Sequence, residues 1–146
     1  MDKKQKFQAI SIAIIGILYF FANMQRVAIP GAIFDTLQMD FNANAAQITA
    51  LGAILMYIYA IFQLFLGFWV DKFGGKKIIK IGSIMFFIGS FLFAFARNLP
   101  FLYLSRTLVA IGVSSYYLSL ISELKENVAQ RNYALVLSIV LCVGYL

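Results

Sequence analysis

The chain has no histidine, one cysteine and two prolines in 146 residues. Without histidine there is no imidazole to serve as a general base near neutral pH, to ligate zinc or to hold a haem iron. The lone thiol, Cys142, cannot close an internal disulfide or build a multi-thiolate metal site. Charge is scarce as well. Only 12% of the residues are charged, against roughly 25% in soluble domains, while 62% are hydrophobic. That is the composition of a membrane protein. The net charge of +6 raises the question of a nucleic-acid partner. Most of the basic residues flank apolar runs, however, so topology accounts for them and no nucleic acid is expected. With no Asp-rich motif and no nucleophile beside a base, neither an enzyme nor a resident cofactor is expected.

What is abundant is apolar sequence in long runs. The N-terminal stretch MDKKQKFQAISIAIIGILYFFANM has a basic start followed by an apolar segment. The segment is too long for a secretory signal and lacks a small-residue cleavage site. It therefore reads as a first membrane span. Five apolar segments are read in all, judged against the ~20 residues that cross a bilayer. They cover 7–34, 45–70, 78–96 and 100–124, and the incomplete start of a fifth at 133–146. Pro30 and Gly31 are expected to kink or end the first. Asn44 and Gln47 have capping-box spacing ahead of the second, and Pro100 suits the first turn of the fourth.

Basic residues set the orientation. Lys3, Lys4 and Lys6 precede the first span. Lys72, Lys76, Lys77 and Lys80 lie between the second and third, and Lys125 and Arg131 follow the fourth. The opposite side has Asp35, Asp40 and the single basic residue Arg97. The N-terminus is accordingly placed in the cytoplasm, with the chain integral and multi-pass in a plasma (inner) membrane.

The loop between the second and third spans reads GFWVDKFGGKK, residues 67–77. Gly74 and its neighbour can take positive φ and turn the chain sharply. Asp71 sits at the negative end of a helix dipole, which is unfavourable unless something positive meets it. This loop resembles the signature of the major facilitator superfamily, G-x-x-x-D-[RK]-x-G-x-[RK]-[RK]. Gly67, Asp71, Lys72, Gly74, Lys76 and Lys77 match it. A partial second match, R-x-x-x-G-x-G, begins at Arg106 in the fourth span, with Ala110 in place of its first glycine and Gly112 at its second. The resemblance implies an all-α membrane fold, here four helices and the start of a fifth from a twelve-helix carrier. It also implies a conformational-switch loop in which Asp71 contacts the opposite half of the molecule.

Polar residues inside the spans recur at helical spacing. Tyr19, Asn23 and Arg26 share a face of the first span. Tyr103, Arg106, Ala110, Val113 and Tyr117 share one on the fourth, and Met56, Tyr59 and Gln63 share a weaker one on the second. The third span instead has a small-residue stripe, Gly82, Gly89 and Ala96, that permits close helix packing. It is read as peripheral and lipid-facing. A charge at the bilayer centre costs on the order of 3 kcal/mol on the mildest scale, so an intramembrane arginine asks for a purpose. At 1.5 Å per residue, Arg106 lies about 9 Å and Arg26 about 12 Å below the same membrane face. Two planar guanidiniums at one level suit a carboxylate or phosphate.

The interiors of the first four spans are read as free of carboxylates. In the resembled family, some proton-coupled members have acids where this chain has Gln25 and Val113. The expected substrate is therefore a small organic anion, a sugar phosphate or carboxylate. Arg26, Arg106, Asn23, Tyr19, Tyr103, Tyr117 and Gln63 are the candidate contacts. The expected partners are the lipid bilayer and a missing C-terminal half, and the chain alone is expected not to transport. The alternative is a small non-transport membrane subunit or assembly protein, which leaves the loop signature unexplained.

Overall fold

The computed structural model describes residues 3–145, with only the backbone described for residues 3–9 and Pro30. Leu146, the last residue of the expected fifth span, lies outside the described residues. Those described form helices α1 (Lys3–Gly31), α2 (Phe34–Asp40), α3 (Ala45–Phe73), α4 (Gly75–Ala94), α5 (Leu99–Asn127) and α6 (Gln130–Tyr145), with no strand among them. Four are long and apolar enough to cross a membrane: Ile10–Ile29 within α1, and α3, α4 and α5. The protein is an all-α integral membrane protein.

Local sequence explains the boundaries. α1 stops at Gly31 rather than running on to residue 34. The amides of Ala32 and Ile33 both turn back to the Ala28 carbonyl, and α2 starts as a separate seven-residue helix. The Asn44 side chain accepts the Gln47 amide at 2.9 Å while Gln47 Oε1 accepts the Asn44 amide at 2.9 Å. That reciprocal pair satisfies donors that α3 would otherwise leave unpaired. Asn98 caps α5 one way only, its side chain accepting the Phe101 amide at 2.9 Å, with proline in the first turn. Between α3 and α4 only Gly74 intervenes, at φ +83°. An L side chain rarely adopts that conformation.

α5 is the axis of the bundle, packed against α1, α3, α4 and α6. Its buried residues include Ser105, Ala110, Gly112, Ser114, Ser115 and Ser119. Their small volume lets neighbouring backbones come close, which is how helices associate in lipid without a hydrophobic drive. Three of the serine hydroxyls are satisfied locally: Ser105 donates to the Leu102 carbonyl, Ser114 to the Ile111 carbonyl and Ser115 to the Gly112 carbonyl, each at 2.7 Å. The buried hydroxyl of Ser119 has no partner among the described residues.

Against this face α4 sets its glycines. A Cβ on Gly89 would stand 2.7 Å from the Val109 nitrogen, and one on Gly82 would overlap Ser115. The outer faces of α3 and α4 are bare, with Leu64 and Phe87 largely exposed. In a bilayer such residues meet acyl chains, so their exposure costs nothing.

Candidate functional site

The polar faces of α1, α3, α5 and α6 meet in one cluster. Tyr19 of α1 is buried, and its ring lies against the backbone of Gly144 in α6, where a Cβ would overlap it. Its hydroxyl donates to the Tyr145 hydroxyl at 3.0 Å. The two rings meet edge to face at 5.8 Å, and Tyr117 of α5 stands 6.5 Å from Tyr19. On α3, the Gln63 amide donates to the Tyr59 hydroxyl at 2.9 Å. Tyr59 lies within electrostatic reach of Tyr117, Tyr145 and Arg26. Asn23 turns its amide back to the Tyr19 carbonyl at 3.1 Å.

Arg26 is half-buried and has no hydrogen bond or ion pair to any described residue. A guanidinium held in this setting without a carboxylate retains five unspent donors. The hydroxyl protons of Tyr59 and Tyr145 also have no acceptor among the described residues. Arg26 can therefore offer a full positive charge, and the tyrosine cluster two hydroxyl donors, to acceptor-rich guests.

Arg106 is used differently. It is only 1% exposed. One terminal nitrogen donates to the Gln25 carbonyl at 3.1 Å and the other to Gln25 Oε1 at 3.4 Å. Gln25 in turn donates to the Ser90 hydroxyl at 2.9 Å. This chain ties α5 to α1 and α4. Arg106 reaches α1 one residue before Arg26, so both arginines lie at one depth. Successive residues on a helix point about 100° apart, however, and Arg106 offers no open face to a guest. Two hydrogen bonds to Gln25 thus occupy Arg106, whereas Arg26 has no partner among the described residues. Tyr103 is also engaged elsewhere: its hydroxyl donates to the Gln47 carbonyl at 2.7 Å, bracing the first turn of α3.

At the lysine-rich end, the loop residues have distinct surroundings. A Cβ at Gly67 would meet open space, whereas one at Gly75 would stand 3.1 Å from the Ser119 carbonyl oxygen. Asp71 is exposed, with no ion-pair partner among the described residues. Lys76 pairs at 3.4 Å with Glu123, a carboxylate that is 1% exposed inside α5. Asn127 also donates to Glu123 at 3.2 Å. This corrects the expectation that the spans hold no acid. An acid at the second-last residue of the expected span 100–124 is the sequence signal for it. Lys72 and Lys77 instead hold their ammoniums over the Phe73 ring, at 5.5 and 5.7 Å from its centroid.

Residues 15–146 match the model of the Major Facilitator Superfamily. The riboflavin transporter RibZ of Clostridioides difficile (strain 630) is 32% identical over 76% of this chain and 24% of its own length. The probable sulfoacetate transporter SauU of Cupriavidus necator is 26% identical over 77% of this chain and 26% of its own. The chloroplastic ascorbate transporter of Arabidopsis thaliana is 29% identical over 64% and 18%. The chain thus spans about a quarter or less of the length of these relatives. No solved structure matches significantly. With a family match over nearly the whole chain, a glycine turn at the signature loop and four membrane-spanning helices, this chain belongs to the major facilitator superfamily.

Proposed function

We propose that this chain supplies solute-facing helices to a facilitator-type carrier that moves a small organic anion, such as a carboxylate or sugar phosphate, by alternating access. Its N-terminus faces the cytoplasm across a plasma (inner) membrane, and the remaining helices of the carrier close the path from the other side. The observation that carries the reading is Arg26, an intramembrane guanidinium with no ion-pair or hydrogen-bond partner among the described residues, within electrostatic reach of Tyr59, whose hydroxyl proton is also unspent. Gln63, Asn23, Tyr19 and Tyr117 shape the cluster. Arg106 and Tyr103 act as positioning residues that hold α5 against α1 and α3. Asp71, exposed at the signature loop, is left for contact with the other half of the carrier. Relatives named for transport of sulfoacetate, ascorbate and anions support an anionic cargo.

A second reading has its own support. Four tyrosines around one site favour a flat aromatic guest through ring stacking, and other relatives are named for riboflavin transport and multidrug resistance. One experiment separates the two. The carrier containing this chain is reconstituted in vesicles as wild type, Arg26→Gln and Arg26→Lys. Uptake of labelled carboxylates, sugar phosphates and neutral aromatics is then followed. Loss of the charge-assisted bond, about 1.5–3 kcal/mol, predicts a fall in anion uptake of roughly ten-fold or more with Gln and a partial fall with Lys. Anion uptake unchanged in both variants refutes the anion reading, and aromatic uptake insensitive to Arg26 favours the other.

A further inference from the structure

On the outer side of the bundle, away from the tyrosine cluster, α3 and α4 part to leave a groove of about 390 Å³. Its walls are Phe62, Leu66 and Trp69 of α3 and Ile81 of α4, and its floor includes Ile111 of α5. Trp69 and Phe62 pack edge to face at 6.5 Å. Phe73 and Lys77 stand at its lysine-rich end. Lys72 and Lys77 both hold their ammoniums over the Phe73 ring, so two positive charges are gathered around one aromatic side chain. The loop has a single acid, Asp71, against Lys72, Lys76, Lys77 and Lys80. Lys76 is spent on Glu123, and a positive surplus remains at the mouth.

We propose that this groove binds one anionic phospholipid of the leaflet at the lysine-rich end. An acyl chain lies between α3 and α4, and the phosphodiester is held between the ammoniums of Lys72 and Lys77. The charge pattern selects this occupant. The interior is apolar and opens on helix faces that already meet acyl chains, such as those of Phe65 and Ile84. Its mouth is cationic and aromatic, at the depth where headgroups lie. Basic residues near a membrane surface attract anionic lipid at about 1 kcal/mol each.

Trp69 is the chain's one tryptophan and lines the groove, which makes it a built-in reporter. The full chain is reconstituted in phosphatidylcholine bilayers containing increasing phosphatidylglycerol, with dibrominated acyl chains on one lipid or the other. Quenching of Trp69 then reports which lipid occupies the groove. The expected result is about a thirty-fold preference for phosphatidylglycerol, the scale of two surface lysines. Lys72→Gln with Lys77→Gln should abolish it, whereas Lys125→Gln with Arg131→Gln, which removes equal charge elsewhere, should leave it. Added inorganic phosphate should not compete, because it lacks the chain that fills the groove. Equal quenching by both lipids overturns the proposal, as does equal loss in both double variants, which means diffuse attraction only. Quenching by neither lipid also overturns it, since another helix or a second copy then covers the groove. Displacement of the brominated lipid by inorganic phosphate reduces the site to a free-anion patch and overturns the lipid assignment.

Discussion

Two glycines in the same protein should respond oppositely to one methyl group. At Gly112 of α5, a Cβ would lie 2.6 Å from the Gly82 carbonyl oxygen and 2.6 Å from the Phe86 nitrogen of α4. Both are backbone atoms inside a helix and cannot rotate aside. Reaching an ordinary contact near 3.4 Å moves α4 outward by about 0.8 Å. Because α4 moves as a rigid rod, the close approaches at Gly82 and Gly89 open with it. Overpacking of this kind costs roughly 1–3 kcal/mol, and the gain in helix propensity from glycine to alanine returns at most about 1 kcal/mol. Gly112→Ala should therefore destabilise the bundle by about 1–2 kcal/mol. At Gly52 of α3, a Cβ would meet open space, so Gly52→Ala keeps only the propensity gain and should be neutral or stabilising by up to about 1 kcal/mol. Reversible unfolding in mixed micelles with a rising fraction of SDS, followed by circular dichroism and Trp69 emission, measures both. If Gly112→Ala is as stable as wild type, or if both substitutions shift the midpoint the same way, α4 and α5 do not meet as described.

Arg106→Ala removes two hydrogen bonds to Gln25 and leaves its carbonyl without that donor. The same micelle titration should show a loss of about 1–3 kcal/mol, partly recovered by Arg106→Lys; loss of anion binding without loss of stability would return Arg106 to the ligand set. In the Lys76–Glu123 pair the carboxylate is buried but the lysine is 54% exposed. Solvent therefore weakens the attraction, and a double-mutant cycle of Lys76→Gln and Glu123→Gln should give a coupling near 1 kcal/mol, with zero coupling meaning that the pair does not join α4 to α5 in solution.

Much of this fold is legible residue by residue, because its signals are local. The Asn44–Gln47 capping box, Pro100 in its first turn and the glycine turn at Gly74 each depend on a few neighbouring atoms, and the structure has all three. The end of α1 at Gly31 falls where Pro30 and Gly31 are expected to kink or end the span. The separate helix α2 is not legible in the same way, because the apolar run continues across residues 32–34 and the break arises from backbone bonds to the Ala28 carbonyl. Within the polar faces, spacing identifies which side of each helix is polar, but not how each group is occupied. Glu123 escapes a reading by hydropathy because one acid barely alters an apolar run. Its meaning appears only when Lys76, 47 residues earlier in the chain, is found beside it.

By itself the sequence determined that this is a helical membrane protein, where its spans lie and which loop carries the family signature. Those properties follow from hydrophobic run length, caps and turns, all short-range. The tertiary structure alone decided which arginine is spent and which is free. Arg26 and Arg106 have the same chemistry and the same depth, but Arg106 packs into the bundle against the Gln25 carbonyl while Arg26, within electrostatic reach of Tyr59, has no bonding partner among the described residues. The difference between them is set by the rotation and approach of whole helices, which glycine and serine contacts along α5 fix and which no single helix can encode.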